Sequence, residues 1–137
     1  MSRDHRKLVV FALADQLVTE VYKVSGDFPQ SERFGLQMQL RKASVSVASN
    51  IVEGCARRTT LEYLNFLNIA TGSAAEARYL LELSTRLGFL PSIAGDRVGA
   101  SYSELVARLK ALVNSLSDEV ESQRKNPKPK AQSQEPK

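Results

Sequence analysis

The side chains of this chain that could take part in catalysis are few. His5 is the single histidine among the 137 residues. Ser-His-Asp and Cys-His nucleophilic systems need a histidine beside the reacting group, and di-iron helical bundles need Glu-x-x-His pairs, so the composition argues against all of these sites. The sequence also lacks the Cys/His spacing of zinc sites and a glycine-rich phosphate loop. We therefore predict no catalytic residue, no metal and no cofactor.

Carboxylates are the remaining route to an enzyme. Glu53, Glu62 and Glu76 fall on two predicted helices that are rich in small and apolar residues, so a buried acid–base pair such as Glu53 with Glu76 is one hypothesis. Glu53 stands four residues before Arg57, however, and at this spacing the two side chains can pair along a helical turn. We therefore interpret Glu53 and Glu76 as structural polar residues and predict that the protein is not an enzyme.

Basic residues form two doublets, Arg41–Lys42 and Arg57–Arg58, near opposite ends of one predicted helix. At a rise of 1.5 Å per residue they lie more than about 20 Å apart, so one subunit cannot merge them into a single patch. In a ring of identical subunits each doublet would be repeated as a belt of positive charge that could follow a phosphate backbone. The alternative is a solvated face with local ion pairs. The candidate nucleic-acid-binding residues are Arg41, Lys42, Arg57 and Arg58.

Cys55 is the only cysteine, which excludes an internal disulfide and fits a reducing cytoplasm. Arg57 and Arg58 stand close enough in sequence to lower the pKa of its thiol. Because no general base accompanies it, we interpret Cys55 as a packing residue. No apolar run approaches the roughly 20 residues needed to cross a bilayer, and the chain start lacks a signal-peptide pattern. We expect a cytoplasmic protein with no membrane contact.

Four amphipathic segments must position these residues, and they account for nearly all of the chain before its tail. The predicted helices span about residues 7–24, 31–55, 60–87 and 96–125, joined by short connections. Because no β-pattern competes, we predict an all-α, antiparallel up-down-up-down four-helix bundle as one domain over residues 1–125. Residues 126–137 are rich in proline, polar residues and lysine, and we predict that this tail is disordered.

Helix ends are marked by specific residues. Gly26 and Pro29 end the first helix, and Ser31 is predicted to cap the second. Thr59, with a glutamate three residues later, predicts a capping box at the start of the third helix. Gly88 fits a C-terminal cap for that helix.

The second helix carries two apolar stripes where a surface helix needs only one. The first stripe comprises Leu36, Leu40, Ala43, Val47 and Ile51, and the second comprises Phe34, Met38, Val45, Ala48 and Val52. The pattern predicts that this helix packs within its own bundle and also on something else, such as another copy of the chain.

Two amides and two glycines complete the predicted packing residues. Gln39 and Asn50 are interpreted as buried amides that fix the helix register. Gly72 inside a helix costs about 1 kcal/mol relative to alanine, and close approach of a neighbouring helix, most simply the second, would compensate for this cost. Gly54, near the end of the second helix, fits a turn, a cap or a close-packing position.

These residues resemble a known family over about residues 7–90. The runs VYKVSGDFPQSERFGLQMQLRKASVSVASNIVEG, EYLNFLNIATGSAAEARYLL and LGFL are similar to the bacterial 23S rRNA-intervening-sequence proteins, also called the S23 ribosomal protein family. The residues that match the family pattern include Gln39, Arg41, Asn50, Glu53, Gly54, Arg57, Gly72 and Glu76. The resemblance implies a homopentameric ring of four-helix bundles. A related group, the accessory variability proteins of diversity-generating retroelements, forms similar pentamers that bind a reverse transcriptase and nucleic acid.

We therefore expect a cytoplasmic, non-enzymatic homo-oligomer that acts as a scaffold for RNA or an RNA–protein complex, with phosphate contacts from the two basic doublets. The alternative is a protein-interaction adaptor, such as a partner of a reverse transcriptase, in which the charges serve solubility.

Overall fold

Helices make up almost all of the described chain. The structure is a computed structural model that describes residues 3–126, and over that range it contains no strand. Two short 3-10 turns lie at His5–Lys7 and Gln30–Glu32. The four α-helices are α1 (Val9–Ser25), α2 (Leu36–Cys55), α3 (Thr60–Arg86) and α4 (Ser92–Lys125).

Each helix packs against two of the others. Within residues 3–126, α1 packs beside α2 and α4, and α3 packs beside the same two helices. Short connections between consecutive helices make the neighbours antiparallel. The prediction of an all-α four-helix bundle is therefore confirmed for the single chain.

The core sits between the apolar faces of the four helices. The first α2 stripe is fully buried, as predicted: Leu36, Leu40, Ala43, Val47 and Ile51. The facing residues of the other helices include Val10, Ala14, Leu17, Val21, Leu67, Ala70, Ala74, Ala77, Val98, Tyr102, Leu105 and Leu109. Leu112 and Leu116 continue the predicted α4 seam but are only partly buried, because α4 has 34 residues and α1 only 17.

The start of α2 differs from the prediction by five residues. Ser31 does not cap it, because the chain after Pro29 forms a separate 3-10 turn. The helix begins instead after Gly35, and the Glu32 side chain serves as its cap: Oε1 accepts a hydrogen bond from the Leu36 N–H at 3.0 Å. A carboxylate at this end also interacts favourably with the helix dipole.

The Thr59 and Gly88 caps of α3 match the prediction, with the Thr59 half of the capping box present, whereas α4 begins earlier than predicted. Thr59 Oγ1 accepts a hydrogen bond from the Glu62 N–H at 3.1 Å, and Gly88 takes the left-handed φ of 81° that favours glycine after a helix. The fourth helix starts at Ser92, directly after Pro91. Proline fits this place because its fixed φ and missing N–H cost nothing at a helix start.

Close helix approach occurs at Gly54, and the predicted contact at Gly72 is wrong. A Cβ on Gly54 would lie 2.9 Å from Phe66 Cβ and 3.2 Å from Tyr63 Cδ1, both on α3. A Cβ on Gly72 would meet no atom of a neighbouring element within 4 Å, and the residue is exposed. The reason is rotational: Ala70, Ala74 and Ala77 face the core, which turns Gly72 outward.

The predicted tail begins at Asn126, which ends α4, and residues 127–137 lie outside the described residues. Across the part of the chain that the structure describes, no helix is long and apolar enough to cross a membrane.

Candidate nucleic-acid interface

The second apolar stripe lies on the outer surface of the bundle. Phe34 is 78% exposed, Met38 40% and Val45 42%. Ala48 and Val52, further along α2, are partly buried. In the single chain, α2 therefore presents an apolar face to solvent along the side opposite its buried stripe, as the two-stripe pattern predicted.

Arg41 is tied to the C-terminal end of α1. Its Nε donates a hydrogen bond to Ser25 Oγ at 2.8 Å, and its Nη2 donates to the Tyr22 carbonyl at 3.1 Å. The guanidinium also lies 4.4 Å from the centre of the Tyr22 ring. A cation placed here satisfies a terminal carbonyl and interacts favourably with the negative end of the helix dipole. Arg41 thus has a structural role that sequence reasoning did not assign to it.

Lys42 is exposed beside Arg41. The two residues lie along an open groove of about 430 Å³ that also contains apolar and hydroxyl groups. The lining residues are Tyr22, Arg41, Lys42, Val45, Ser46 and Ser49. The groove combines positive charge with part of the exposed apolar stripe.

The second doublet lies at the corner where α2 ends and α3 begins. The Arg57 guanidinium is 4.7 Å from the centre of the Phe66 ring. Its Nη2 is 4.0 Å from Glu53 Oε2, as the four-residue spacing predicted, but this contact is long and both side chains are about half exposed. Arg57 Nε is buried and has no hydrogen-bond partner. Arg58 is exposed at the same corner.

Arg3, which the sequence analysis did not single out, joins this corner from the chain start. Its backbone N–H donates to the Cys55 carbonyl at 2.7 Å, and its Nη2 donates to Thr60 Oγ1 at 3.3 Å. The guanidinium lies 4.0 Å from the centre of the Tyr63 ring, and Nη1 is buried without a hydrogen-bond partner. The only sequence clue was the pair of aromatic residues three apart on α3, since Arg3 itself is 57 residues from Thr60.

Cys55 lies beneath this corner and is a packing residue, as predicted. Burial raises the pKa of its thiol, although Arg3 and a hydrogen bond with Tyr63 act in the opposite direction. The expectation that Arg57 and Arg58 lower this pKa is wrong, because the loss of hydration outweighs the nearby charge. Burial also raises the pKa of Tyr63 to about 12. The Cys55 thiol and the Tyr63 hydroxyl are therefore not activated by ionisation at neutral pH.

The predicted amides divide into one exposed and one half-buried residue. Gln39 is exposed, so its interpretation as a buried amide is wrong. Asn50 is half-buried, and its Nδ2 donates to the Ser46 carbonyl at 2.8 Å and to Ser46 Oγ at 3.0 Å. The link between helices comes from Ser46 and Ser73, whose hydroxyls are 2.8 Å apart. These two serines were not predicted, because a serine in a helix carries no sequence mark of its partner.

The carboxylates do not form an acid–base pair. Glu53, Glu62 and Glu76 are all exposed, so none is a buried packing residue. Contacts of α2 with α3 place Gly54 beside Phe66, and Glu76 lies ten residues beyond Phe66, roughly 15 Å along α3 at 1.5 Å per residue. The hypothesis of a Glu53–Glu76 catalytic pair is therefore wrong.

Comparison with known proteins agrees with this architecture. The family of 23S rRNA-intervening sequence proteins matches residues 6–111. The chain belongs to this family. A crystal structure of a protein of unknown function from the S23 ribosomal protein family of Bacteroides thetaiotaomicron VPI-5482 superposes with a TM-score of 0.69. The two sequences are 22% identical, and the alignment covers 77% of this chain and 98% of that one.

No curated protein matches this chain with a significant score. Membership of the family confirms the resemblance on which the sequence analysis relied, and the similar structure confirms the fold. The family match ends at residue 111, immediately before Leu112, where the α4 seam becomes only partly buried.

Proposed function

We propose that the protein is a non-enzymatic, self-associating helical scaffold of the cytoplasm that binds structured RNA. The observation that carries this proposal is the exposure of Met38 and Val45 on α2, and of Phe34 just before that helix, on the side opposite the buried stripe. An apolar face outside the core is typical of interaction sites, and its burial contributes about 25 cal/mol per Å². The assembly that we propose is the homopentameric ring implied by the family resemblance.

The RNA-binding part of the proposal rests on charge. The chain has a formal net charge of +4, and Lys42, Arg57 and Arg58 lie on the surface of α2 or at its end. Repetition of these side chains around a ring would bring several cations to one phosphate backbone, with little base specificity. The family description, which names a sequence that interrupts 23S rRNA, supports RNA as the polyanion. Arg41 adds charge, but its hydrogen bonds to α1 hold it in place.

Native mass spectrometry of the full chain tests the assembly. We expect a discrete oligomer, with five copies as the proposed state, and we expect Met38→Glu with Val45→Glu to convert it to monomer. Ile93→Glu is the matched control, since Ile93 is an 85% exposed apolar residue on α4 rather than on the α2 face. A monomeric wild-type chain, or dissociation by the control alone, would contradict the proposed interface.

A salt series tests RNA binding. We expect the affinity of the assembled protein for a structured RNA to fall steeply with salt, because each phosphate contact releases a counterion. Replacing Lys42, Arg57 and Arg58 with alanine should weaken binding and flatten the slope. The control replaces Arg108 and Lys110, exposed cations of α4, with alanine and should change binding much less. Equal affinity of the first variant and the wild type would rule out these phosphate contacts.

A second candidate function is a protein-interaction adaptor, such as an accessory subunit of a reverse transcriptase. The groove beside Val45 favours it, since it joins apolar surface to Arg41 and Lys42. A reverse-transcriptase gene and a template repeat beside this gene, with absent RNA binding at low salt, would favour the adaptor. Binding of the purified reverse transcriptase, abolished by Val45→Glu while the oligomer mass of that variant stays unchanged, would establish it.

A further inference from the structure

We propose that the corner between α2 and α3 is a binding site for a phosphoryl oxyanion, held by Arg3 and Arg57. We call it the arginine corner and define it by Arg3 and Arg57 with the rings of Tyr63 and Phe66 beneath them. The inference rests on the proposed RNA binding and extends it. Its favoured source of the oxyanion is a phosphate of the RNA backbone.

The two guanidinium groups lie over neighbouring rings. Tyr63 and Phe66 are three residues apart on α3, so they lie on the same helix face with their Cβ atoms about 5–6 Å apart. The Tyr63 ring and the Phe66 Cβ also flank Gly54, whose missing side chain lets α2 approach α3 here. Arg3 is 4.0 Å from the centre of the first ring and Arg57 is 4.7 Å from that of the second. Stacking of this kind fixes the plane of an arginine head before a ligand arrives.

Both arginines have hydrogen-bonding capacity that the protein does not use. Arg3 Nη1 and Arg57 Nε are buried from water and have no partner, and an unsatisfied donor of a charged group is costly. The Arg57 side chain is still 42% exposed, so a ligand can approach the corner from solvent. A small rotation of either guanidinium group toward an oxyanion would give these donors an acceptor.

The positive charge of the arginine corner is poorly neutralised. Among residues 3–126, no carboxylate lies within ion-pair distance of Arg3, and the Glu53 contact with Arg57 is 4.0 Å long and exposed. Asp4, the acidic neighbour of Arg3, is engaged by Arg6 at 3.0 Å. The first turn of α3, with its positive dipole end, starts at Thr60, which contacts Arg3. An anion at this corner would compensate two partly buried cations.

A phosphoryl group fits this arrangement better than a metal or a neutral ligand. The corner offers N–H donors in flat, fork-like groups, which pair with the oxygens of phosphate in a bidentate manner. The source is either a phosphodiester of an RNA chain or free phosphate, and the oxygen chemistry is common to both.

Arginine Nε–Hε signals in NMR spectra of the full-length protein provide the direct test. Arg3→Gln and Arg57→Gln spectra assign the two signals, and inorganic phosphate is then titrated into the wild type at constant ionic strength, with chloride as the reference. We expect saturable shifts of the Arg3 and Arg57 signals and no comparable shift for Arg108. Shifts that rise linearly for all arginines would contradict a site, and this outcome can be read from the wild-type spectra without the variant assignments.

A binding comparison then separates the two sources. For a short structured RNA, we expect the Arg3→Gln, Arg57→Gln double variant to bind about tenfold or more weakly, as expected for lost charge-assisted hydrogen bonds, with a shallower salt slope. The matched control is Arg108→Gln, an arginine already paired with Glu104 at 2.9 Å. Circular dichroism checks that each variant keeps its helical content.

The outcomes distinguish this inference from the proposed function. Saturable phosphate shifts without RNA binding would support an oxyanion site for free phosphate and overturn the RNA proposal. RNA binding that is unchanged in the double variant, with no phosphate shifts at Arg3 or Arg57, would overturn the arginine corner and leave RNA binding to other cations. If the wild-type protein shows neither saturable phosphate shifts nor RNA binding, both the arginine corner and the RNA proposal are overturned.

Discussion

The two ends of α2 carry similar basic doublets, yet the structure uses the arginine of each doublet differently. At the first end, Arg41 donates hydrogen bonds to Ser25 and Tyr22 and so completes the C-terminal end of α1. At the second end, Arg57 lies on the Phe66 ring and keeps a buried Nε without a partner. The neighbouring element decides the role: a helix end offers acceptors, whereas an aromatic face holds a cation and leaves its donors unused.

This difference separates stability from binding along one helix. At the first end, groups of the protein itself accept the hydrogen bonds of Arg41, so this arginine contributes mainly to folding stability. The second end retains unmet donors and weakly compensated charge, so its arginine is the better candidate for contact with an anion. Experiments that change one end at a time can break or sharpen this distinction.

The largest expected effect is at the second end, where Gly54 lets α2 meet α3. Gly54→Val would place methyl groups against Phe66 and Tyr63, and we expect a loss of about 3 kcal/mol in the free energy of unfolding, as for overpacking of a core. Gly72→Val is the control, because Gly72 faces open space, and its expected change is within about 0.5 kcal/mol. Denaturant unfolding at one fixed protein concentration measures both.

Equal destabilisation by the two glycine variants would contradict the close approach at Gly54. A loss that appears only for Gly72→Val, and that depends on protein concentration, would instead place Gly72 in a contact between subunits.

The next largest expected effects on stability come from replacing Arg41 and Arg57, one at each end of α2. We expect Arg41→Ala to cost about 2 kcal/mol of unfolding free energy, because it removes two hydrogen bonds of a charged group and a favourable charge at a helix end. Arg57→Ala should cost less than about 1 kcal/mol, since it removes a partly exposed cation–π contact. Lys42→Ala, beside Arg41 and exposed, is the control and should stay within about 0.5 kcal/mol.

The two arginine variants measured for RNA binding should show the reverse order, with Arg57→Ala weakening affinity more than Arg41→Ala. A larger binding loss for Arg41→Ala, with stability unchanged, would overturn the distinction between the two ends of α2.

The fold followed from the sequence because its determinants are local. Apolar spacing located the four helices, and Thr59 marked the start of α3. The error at Ser31 has a local cause as well: a serine before a helical pattern resembles a cap, but the turn after Pro29 moved the helix start to Leu36.

The candidate site was only partly predictable, because its determinants are not local. Arg57 stands in a visible doublet, whereas Arg3 reaches Thr60 across 57 residues of sequence. Predicting which glycine lies at a helix contact, Gly54 or Gly72, requires knowledge of how each helix is rotated about its own axis. Tertiary packing sets that rotation. Sequence pattern therefore identified the basic residues but could not say which of them the protein itself already binds.

The smallest expected effect concerns the pH dependence of stability near the C-terminal end of α1, where Glu20 accepts a hydrogen bond from Arg97 of α4 at 2.9 Å. This bond lowers the pKa of Glu20, so its stabilisation is present above the pKa of an unfolded glutamate and is lost as the pH falls through the lower folded value. For a partly exposed pair we expect about 0.5 kcal/mol. Glu20→Gln should remove this part of the difference in unfolding free energy between pH 7 and pH 3. Arg97→Gln should remove the same amount, and the double variant no more, because both act through one pair. Additive losses would show that Glu20 and Arg97 stabilise the protein independently and not through their hydrogen bond.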